Sequence, residues 1–507
     1  MLEAIKKRFL DVRRGEWPRA LGLSAFFFLV IAIFWVLKPI KKGMLIAFYK
    51  EDALTLMGVA FGGAEVEQIA KVLNMVVIYG VVVLFTLMVR RFKRQHVVYL
   101  FCAMLSVGMV IFSFAIVNPD PVAAWSLYVF GDVFNSIMVA TFWAFSNDIN
   151  TPGQSKRLYG VIGLGGVLGG FVGATFVGVL ADVESARELL NTADPATFVQ
   201  SLQKSVLEVL YPAYEVLLEA ARGLSTFFGL TGVETAQLGR SGLILGCIIG
   251  MALIAAIAGY VNRHAGGASG PAAGDADEEK GMMSAALEGA RLVFRSKYLL
   301  AILSIIGLYE VVSNIIEFQL SATVETSSLA GTEIDAFFGQ YGLLIGLVSI
   351  AVQVLLTPYL MNRWSVGVAL MVLPVVDLIL SAGFLAMPVL GMAAALSIGD
   401  NALNYSINQS AKESLYTPTT PDEKYKAKAF IGMFIQRGAK AVAVGMNLTF
   451  AALVSIAAVR WLSLASFVVL AGWIVVVVFA GRRFVQKAAG AEAGDSDAPE
   501  EREEVAA

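Results

Sequence analysis

Histidine and cysteine are nearly absent from this chain, whose 507 residues hold two of each. His96 and His264 fall in polar stretches, and Cys102 and Cys247 fall in apolar ones, where a thiol behaves as a small hydrophobe. Neither a zinc spacing nor a disulfide framework results, and no metal or other cofactor is expected. Charge is scarce too. Asp, Glu, Lys and Arg make up 15% of the residues and 57% are hydrophobic, against about 25% charged in soluble domains. That balance places the chain in the membrane class. A net charge of -2, with no basic stripe, leaves nucleic acid without a footprint. No Walker sequence, G-x-S-x-G or H-E-x-x-H occurs, so hydrolytic chemistry has no visible machinery and an enzyme is not expected. Gly163, Gly165, Gly166, Gly169 and Gly170 miss G-x-G-x-x-G because position 168 is Leu. Their small-xxx-small spacing serves tight helix packing instead.

What is present is apolar sequence in long runs. About twelve stretches reach the ~20 apolar residues that a bilayer core requires. They lie near 20–46, 69–89, 97–117, 122–146, 157–180, 239–261, 298–323, 335–359, 365–386, 389–411, 427–454 and 459–481. Met1 to Arg19 is basic and amphipathic and lacks an A-x-A exit, so no cleavable signal is expected. Basic residues collect on one side of the alternating spans, at Arg13, Arg14 and Arg19, at Arg90, Arg91, Lys93 and Arg94, and at Arg482, Arg483 and Lys487. The positive-inside rule then puts both termini in the cytoplasm of a multi-pass bacterial inner-membrane protein. The expected fold is all-α and polytopic: an N-terminal six-helix bundle over 1–261, a cytoplasmic linker over 262–297, a second six-helix bundle over 298–487, and a disordered acidic tail over 488–507. Residues 181–238 form an external insertion, expected as two or three short helices capping the outer face. Gly131-Asp132 in the fourth span and Gly399-Asp400 in the tenth suggest that the two halves are pseudo-symmetric repeats, which places a site at their interface.

Nine charged side chains interrupt these spans: Lys38, Lys41, Lys42, Asp132, Glu310, Glu317, Asp400, Arg437 and Lys440. Each costs about 2.5–3.5 kcal/mol at the bilayer centre, so such charges persist where they face one another or a water-filled cavity. Lys38, Lys41 and Lys42 share one helix face at i, i+3, i+4 and read as an anion clamp; snorkelling to the outer interface is the alternative. Glu310, Asn314 and Glu317 form an i, i+4, i+7 stripe that reads as a gate, a proton carrier or a structural bridge, and Lys41 is expected to meet Glu317 in at least one state. Asn135 follows Asp132. Asp400, Asn404 and Asn408 share a face, suited to a base or ribose or to interhelical hydrogen bonding. Arg437 and Lys440 lie too deep to snorkel easily, a planar fork and a point charge suited to phosphate. Phe142, Trp143, Phe337, Phe338 and Tyr341 could stack a base, but aromatic residues in such spans are usually core.

Four blocks of sequence carry a resemblance: Leu37-Lys38-Pro39-Ile40-Lys41-Lys42; Phe142-Trp143-Ala144-Phe145-Ser146-Asn147 followed by Lys156-Arg157-Leu158-Tyr159; Asn314-Ile315-Ile316-Glu317; and Lys412-Glu413-Ser414-Leu415-Tyr416 followed by Lys426, Lys428 and Gly438-Ala439-Lys440. In order and spacing they resemble the non-mitochondrial ATP/ADP translocases of plastids and obligate intracellular bacteria. The resemblance implies a major-facilitator-like twelve-helix fold, with Lys41, Glu317 and one of Lys412 or Lys440 serving substrate binding or exchange. Asp132 stands where that family has Glu, Lys42 replaces an acidic residue, and Asn404 stands where Lys is frequent. The expected function is therefore exchange of ATP/ADP-like nucleotides, or of a related phosphorylated anion, by alternating access. A proton-coupled carrier of another organic anion, with Asp132, Glu310 or Asp400 as proton carrier, is one alternative. A transport-inactive membrane sensor or scaffold is the other. The expected partners are a small anionic solute and the lipid bilayer; no oligomeric state is implied.

Overall fold

The computed structural model describes residues 13–264, 288–420 and 426–496, apart from 57, 151, 193, 194, 196, 228, 230–232, 234 and 429. The basic segment before Arg13, most of the expected linker and the last part of the acidic tail lie outside these. Helix dominates: α1 (Trp17–Glu51), α2 (Gly63–Arg91), α3 (Arg94–Ala115), α4 (Pro121–Ile149), α5 (Pro152–Leu180), α6 (Val183–Asn191), α7 (Phe198–Phe227), α8 (Thr235–His264), α9 (Lys297–Glu325), α10 (Gly331–Ala351), α11 (Thr357–Arg363), α12 (Val366–Ala386), α13 (Leu390–Leu403), α14 (Gln409–Ser414), α15 (Gln436–Leu453) and α16 (Leu462–Ser496). A two-stranded antiparallel hairpin, Leu54–Leu56 with Val59–Phe61, joins α1 to α2, and Gly58 at φ +83° supplies its turn.

Among the described residues nine helices are long and apolar enough to cross a membrane. The other three of the twelve expected spans are helical as well. Glu65, Glu67 and Lys71 load the first turns of α2 with charge. The tenth and eleventh are broken by π-helical turns at Asn404–Asn408 and Ile431–Ile435; a third such turn, Val352–Leu356, follows α10. Single π turns inside helices recur at functional sites.

The chain divides into two compact units, one of residues up to Gly274 with Val324–Leu347, the other of Asp275–Thr323 with Val348 onward. The first part of α10 thus belongs to the first unit. Gly178 of α5 allows this, since a Cβ there would lie 2.7 Å from the Gln340 backbone nitrogen; Gly342 likewise accepts Trp35 at 2.7 Å. Within the same unit Gly165 and Gly169 of α5 lie against the α1 backbone at Ser24 and Phe28, which is the packing role their spacing predicts. Phe142 is buried and stacks on Phe27 at 4.5 Å between ring centres, so this aromatic cluster is core.

Two expectations are corrected here. The insertion is not a set of short helices: after the nine-residue α6 it continues as the 30-residue α7. One face of α7 is buried through Leu207, Tyr214, Leu218 and Ala221, and the Tyr214 hydroxyl donates to the carbonyls of Leu180 (2.8 Å) and Gly239 (3.0 Å), tying the insertion to the ends of α5 and α8. Burial pushes the Tyr214 phenol above its ordinary range, so it remains a donor. The second correction concerns the tail, where α16 runs on to Ser496 through Ala488, Ala489, Ala491 and Ala493. Alanine is the strongest helix former, and acidic composition alone did not reveal that.

Candidate functional site

In the first unit α1, α2 and α4 bring together a lysine-rich cluster. Lys41 and Lys42 are 5% and 7% exposed, which excludes snorkelling for both. Lys41 pairs with Asp132, and its ammonium lies 4.2 Å from the centre of the Tyr128 ring. Asn74 donates its amide to Asp132 at 2.6 Å, holding the carboxylate from the α2 side. Gly131 leaves room for the stem of Lys41, since a Cβ there would sit 2.7 Å from the Lys41 Cδ. One position along α1, Lys42 meets Glu67 at 3.2 Å and the face of Phe338 at 4.9 Å. Lys71 reaches the same Glu67 oxygen at 3.4 Å. Lys38 is half-buried, over the Trp35 ring at 4.6 Å. Four lysines thus gather around two carboxylates, a local excess of positive charge inside membrane-length helices. Asn135 is half-buried on α4, one turn beyond Asp132.

Beside this cluster Arg240 of α8 pairs with the fully buried Asp335 of α10, and its other nitrogen donates to the Gly331 carbonyl at 3.0 Å. Asp335 lies against Gly43 of α1, where no side chain would fit. Buried pairs such as these cost a great deal if one partner is lost.

The second unit gathers a different set. Lys412 is buried; it donates to the Asn404 side-chain oxygen at 3.1 Å and lies over the Tyr309 ring at 4.9 Å. Asn408 donates to the same Asn404 oxygen at 3.0 Å, so the π turn folds these two carboxamides and Lys412 into one ladder. Asp400 is fully buried and accepts from the Ser313 hydroxyl at 2.6 Å. Glu310 is half-buried and has Lys440 and Lys412 as its neighbouring cations. Asn314 turns its amide back to the Glu310 carbonyl at 2.7 Å while Asn447 donates to the Asn314 carbonyl at 3.2 Å, so that part of the stripe is structural. Glu317 is half-buried one turn further on. Arg437 and Lys440 are half-buried at the start of α15, just after its π turn.

Among the charged residues of the spans that are missing from the nine read from the sequence are Lys71, Arg240, Asp335 and Asp377. Lys71 had a signal, since Glu67, Lys71 and Asn74 repeat at i, i+4, i+7 on one helix face. Asp377 is the lone charge in the 21 residues of α12, and it meets the criterion that singled out Asp400. Arg240 and Asp335 sit at the starts of apolar runs, where a charge reads as a boundary.

The model of the TLC ATP/ADP transporter family matches residues 121–218 and 243–401. The chain belongs to that family. The match includes Asp132, Asn135, Glu310, Asn314, Glu317 and Asp400, while the lysines of α1 and everything beyond Asn401 lie outside it. The ADP,ATP carrier protein 1, chloroplastic, of Arabidopsis thaliana is 23% identical over 332 residues, covering 61% of this chain and 46% of that protein. ADP,ATP carrier protein 1 of Chlamydia trachomatis is 23% identical over 338 residues, covering 62% and 56%. The chain spans about half the length of these relatives. Among solved structures, a bacterial homologue of the human lysosomal transporter Spinster superposes with a TM-score of 0.58 at 13% identity, covering 94% of this chain and 99% of that one. The nucleoside transporter NupG superposes with a TM-score of 0.53 at 14% identity, covering 92% and 99%. The fold is that of a major-facilitator transporter.

Proposed function

We propose that this protein exchanges ATP for ADP, or a closely similar nucleotide pair, across a bacterial inner membrane by alternating access, with both termini cytoplasmic. The observation that carries the reading is the lysine cluster of the first unit, four cations around two carboxylates within membrane-length helices of a chain from an ATP/ADP transporter family. A nucleotide supplies the negative charge that such a cluster attracts, and desolvated lysines bind phosphate through charge-assisted hydrogen bonds. In the first unit Lys38, Lys41 and Lys42 are the phosphate-binding cations; those of the second unit are Lys412, Arg437 and Lys440. Asp132 and Glu67 take the lysines back when the anion leaves. This favours exchange over one-way release, because the empty carrier re-forms internal ion pairs before it can return. Asn135, Asn314, Glu317 and Asn404 complete the substrate set on the same reading.

Proteoliposomes preloaded with ADP test it. Uptake of labelled ATP should rise severalfold over empty vesicles and be competed by unlabelled ATP and ADP. Uptake indifferent to internal nucleotide, or competed only by a non-nucleotide organic anion, would overturn the reading. A tag near Thr192 that is reached by an impermeant reagent on intact cells, with the C-terminus protected, checks the orientation.

A further inference from the structure

In the second unit α12 and α13 carry a pair of acids that the exchange reading does not use. Asp377 on α12 and Asp400 on α13 are both fully buried. Gly399 brings the helices together: a Cβ there would stand 2.8 Å from the Leu380 Cδ1 and 3.8 Å from the Val376 Cγ1, the residues flanking Asp377. Asp377 and Asp400 thus stand on closely packed neighbouring helices. Both carboxylate oxygens of Asp377 and the Oδ1 of Asp400 are buried with no hydrogen-bond partner, and so is the hydroxyl of Ser381, one turn beyond Asp377 on the same face. The other Asp400 oxygen accepts from Ser313.

The surroundings do not neutralise such a pair. From α9 come Tyr309, Glu310 and Glu317, and from the π turn Tyr405. From α14 comes Lys412, which is engaged with Asn404 and the Tyr309 ring. The other elements packed on α12 offer Arg363, exposed at the end of α11, and Arg460, which lies over the Trp461 ring at 5.1 Å. Between Leu462 and Gly481, α16 has no titratable side chain at all. Two fully buried carboxylates with three of their four oxygens unpartnered are too costly to stay charged together in this setting.

We propose that Asp377 and Asp400 form a proton-binding site of the second unit, one of the two carboxyls holding a proton, beside the hydroxyls of Ser381 and Ser313. Protonated, the pair carries a single negative charge and α12 and α13 stay closely packed. When a rearrangement admits water, the proton passes to that water and the doubly charged pair separates, so proton release is tied to a change in the packing of these helices. The inference holds whatever the anion carried, so its failure and that of the nucleotide reading are separable.

Infrared spectroscopy of the purified full-length protein in detergent tests it directly. At neutral pH the wild type should show the carbonyl stretch of a protonated carboxyl in apolar surroundings. The band should shift in heavy water and when aspartate is labelled with carbon-13 at its carboxyl, and it should be lost in Asp377→Asn/Asp400→Asn. Isotope labelling needs no substitution, so the test stands even if the double variant does not fold. Absence of the band, or its failure to shift on aspartate labelling, would overturn the proposal, as would its survival in a folded double variant. Loss of the band when potassium salt is replaced by sodium at constant ionic strength would also overturn it, by showing that the pair takes a metal cation instead.

Discussion

The two units carry the same dipeptide at corresponding spans and use it in opposite ways. In the first, Gly131 makes room for the stem of Lys41, and the aspartate that follows meets a cation. In the second, Gly399 makes room for Leu380, and the aspartate that follows is fully buried on a helix packed against the one that carries Asp377. The wider surroundings diverge in the same sense. Lys38, Lys41, Lys42 and Lys71 outweigh Glu67 and Asp132, whereas Lys412, Arg437 and Lys440 are outnumbered by Glu310, Glu317, Asp377 and Asp400. The same dipeptide thus stands among cations in one unit and among acids in the other. A likeness between repeats locates a site better than it assigns a role.

The sharpest way to break this contrast is to remove one member of the Lys41–Asp132 pair. Lys41→Ala leaves Asp132 with Asn74 as its remaining described partner and should lower stability by about 3–5 kcal/mol, toward the smaller figure because Asp132 is 25% exposed. Thermal unfolding in detergent measures it. Lys41→Met combined with Asp132→Leu should recover most of the lost stability without recovering exchange. If that double variant still exchanges nucleotides, the anion is held by the second unit and the contrast falls.

Next in size is the effect of Arg437→Gln and Lys440→Gln. Each should weaken nucleotide binding by about 1.5–3 kcal/mol, roughly ten- to a hundredfold, through loss of a charge-assisted contact. Apparent affinity in proteoliposomes, set beside that of Lys38→Gln, shows whether both units hold the anion. Normal affinity in both second-unit variants would confine the phosphate site to α1 and α2.

The glycines offer a direct comparison. Gly399→Ala must displace Leu380 from a packed helix contact and should cost about 1–3 kcal/mol of stability while leaving affinity unchanged. Gly131→Ala meets only the flexible stem of Lys41, so its stability loss should be smaller and the change should appear in apparent affinity. The reverse pattern would mean that Gly131 serves helix packing. The smallest expected effect is that of Phe338→Leu, which removes the ring beneath Lys42 and should cost about 0.5–2 kcal/mol. A thermal shift series with and without nucleotide would resolve it; an unchanged Tm would show that Glu67 alone holds Lys42.

Much of the site was legible as a set of residues and little of it as a set of pairs. A charge within an apolar run is conspicuous whatever the fold, so Lys41, Asp132 and Asp400 could be singled out. That Lys41 meets Asp132, and that Asp400 and Asp377 lie on neighbouring helices, depends on which helix lies beside which. Spacing along one helix carries no such information. The face shared by Asp400, Asn404 and Asn408 assumes an uninterrupted α-helix, and the π turn at Asn404 changes that register.

Local patterning determined the class of the molecule. Burial of apolar runs in lipid, and the need to satisfy every backbone hydrogen bond there, leave helices as the structure these long runs can form. Small-residue spacing in α5 likewise announced close packing, because it depends on helical period alone. Only the tertiary structure decided the long α7 of the insertion, the placement of α10 residues in the first unit, and the sign of the environment around each aspartate. Ion pairing falls off within a few ångströms, so a carboxylate's role is settled by the nearest side chain on a neighbouring helix, and that neighbour stands tens to hundreds of residues away in sequence.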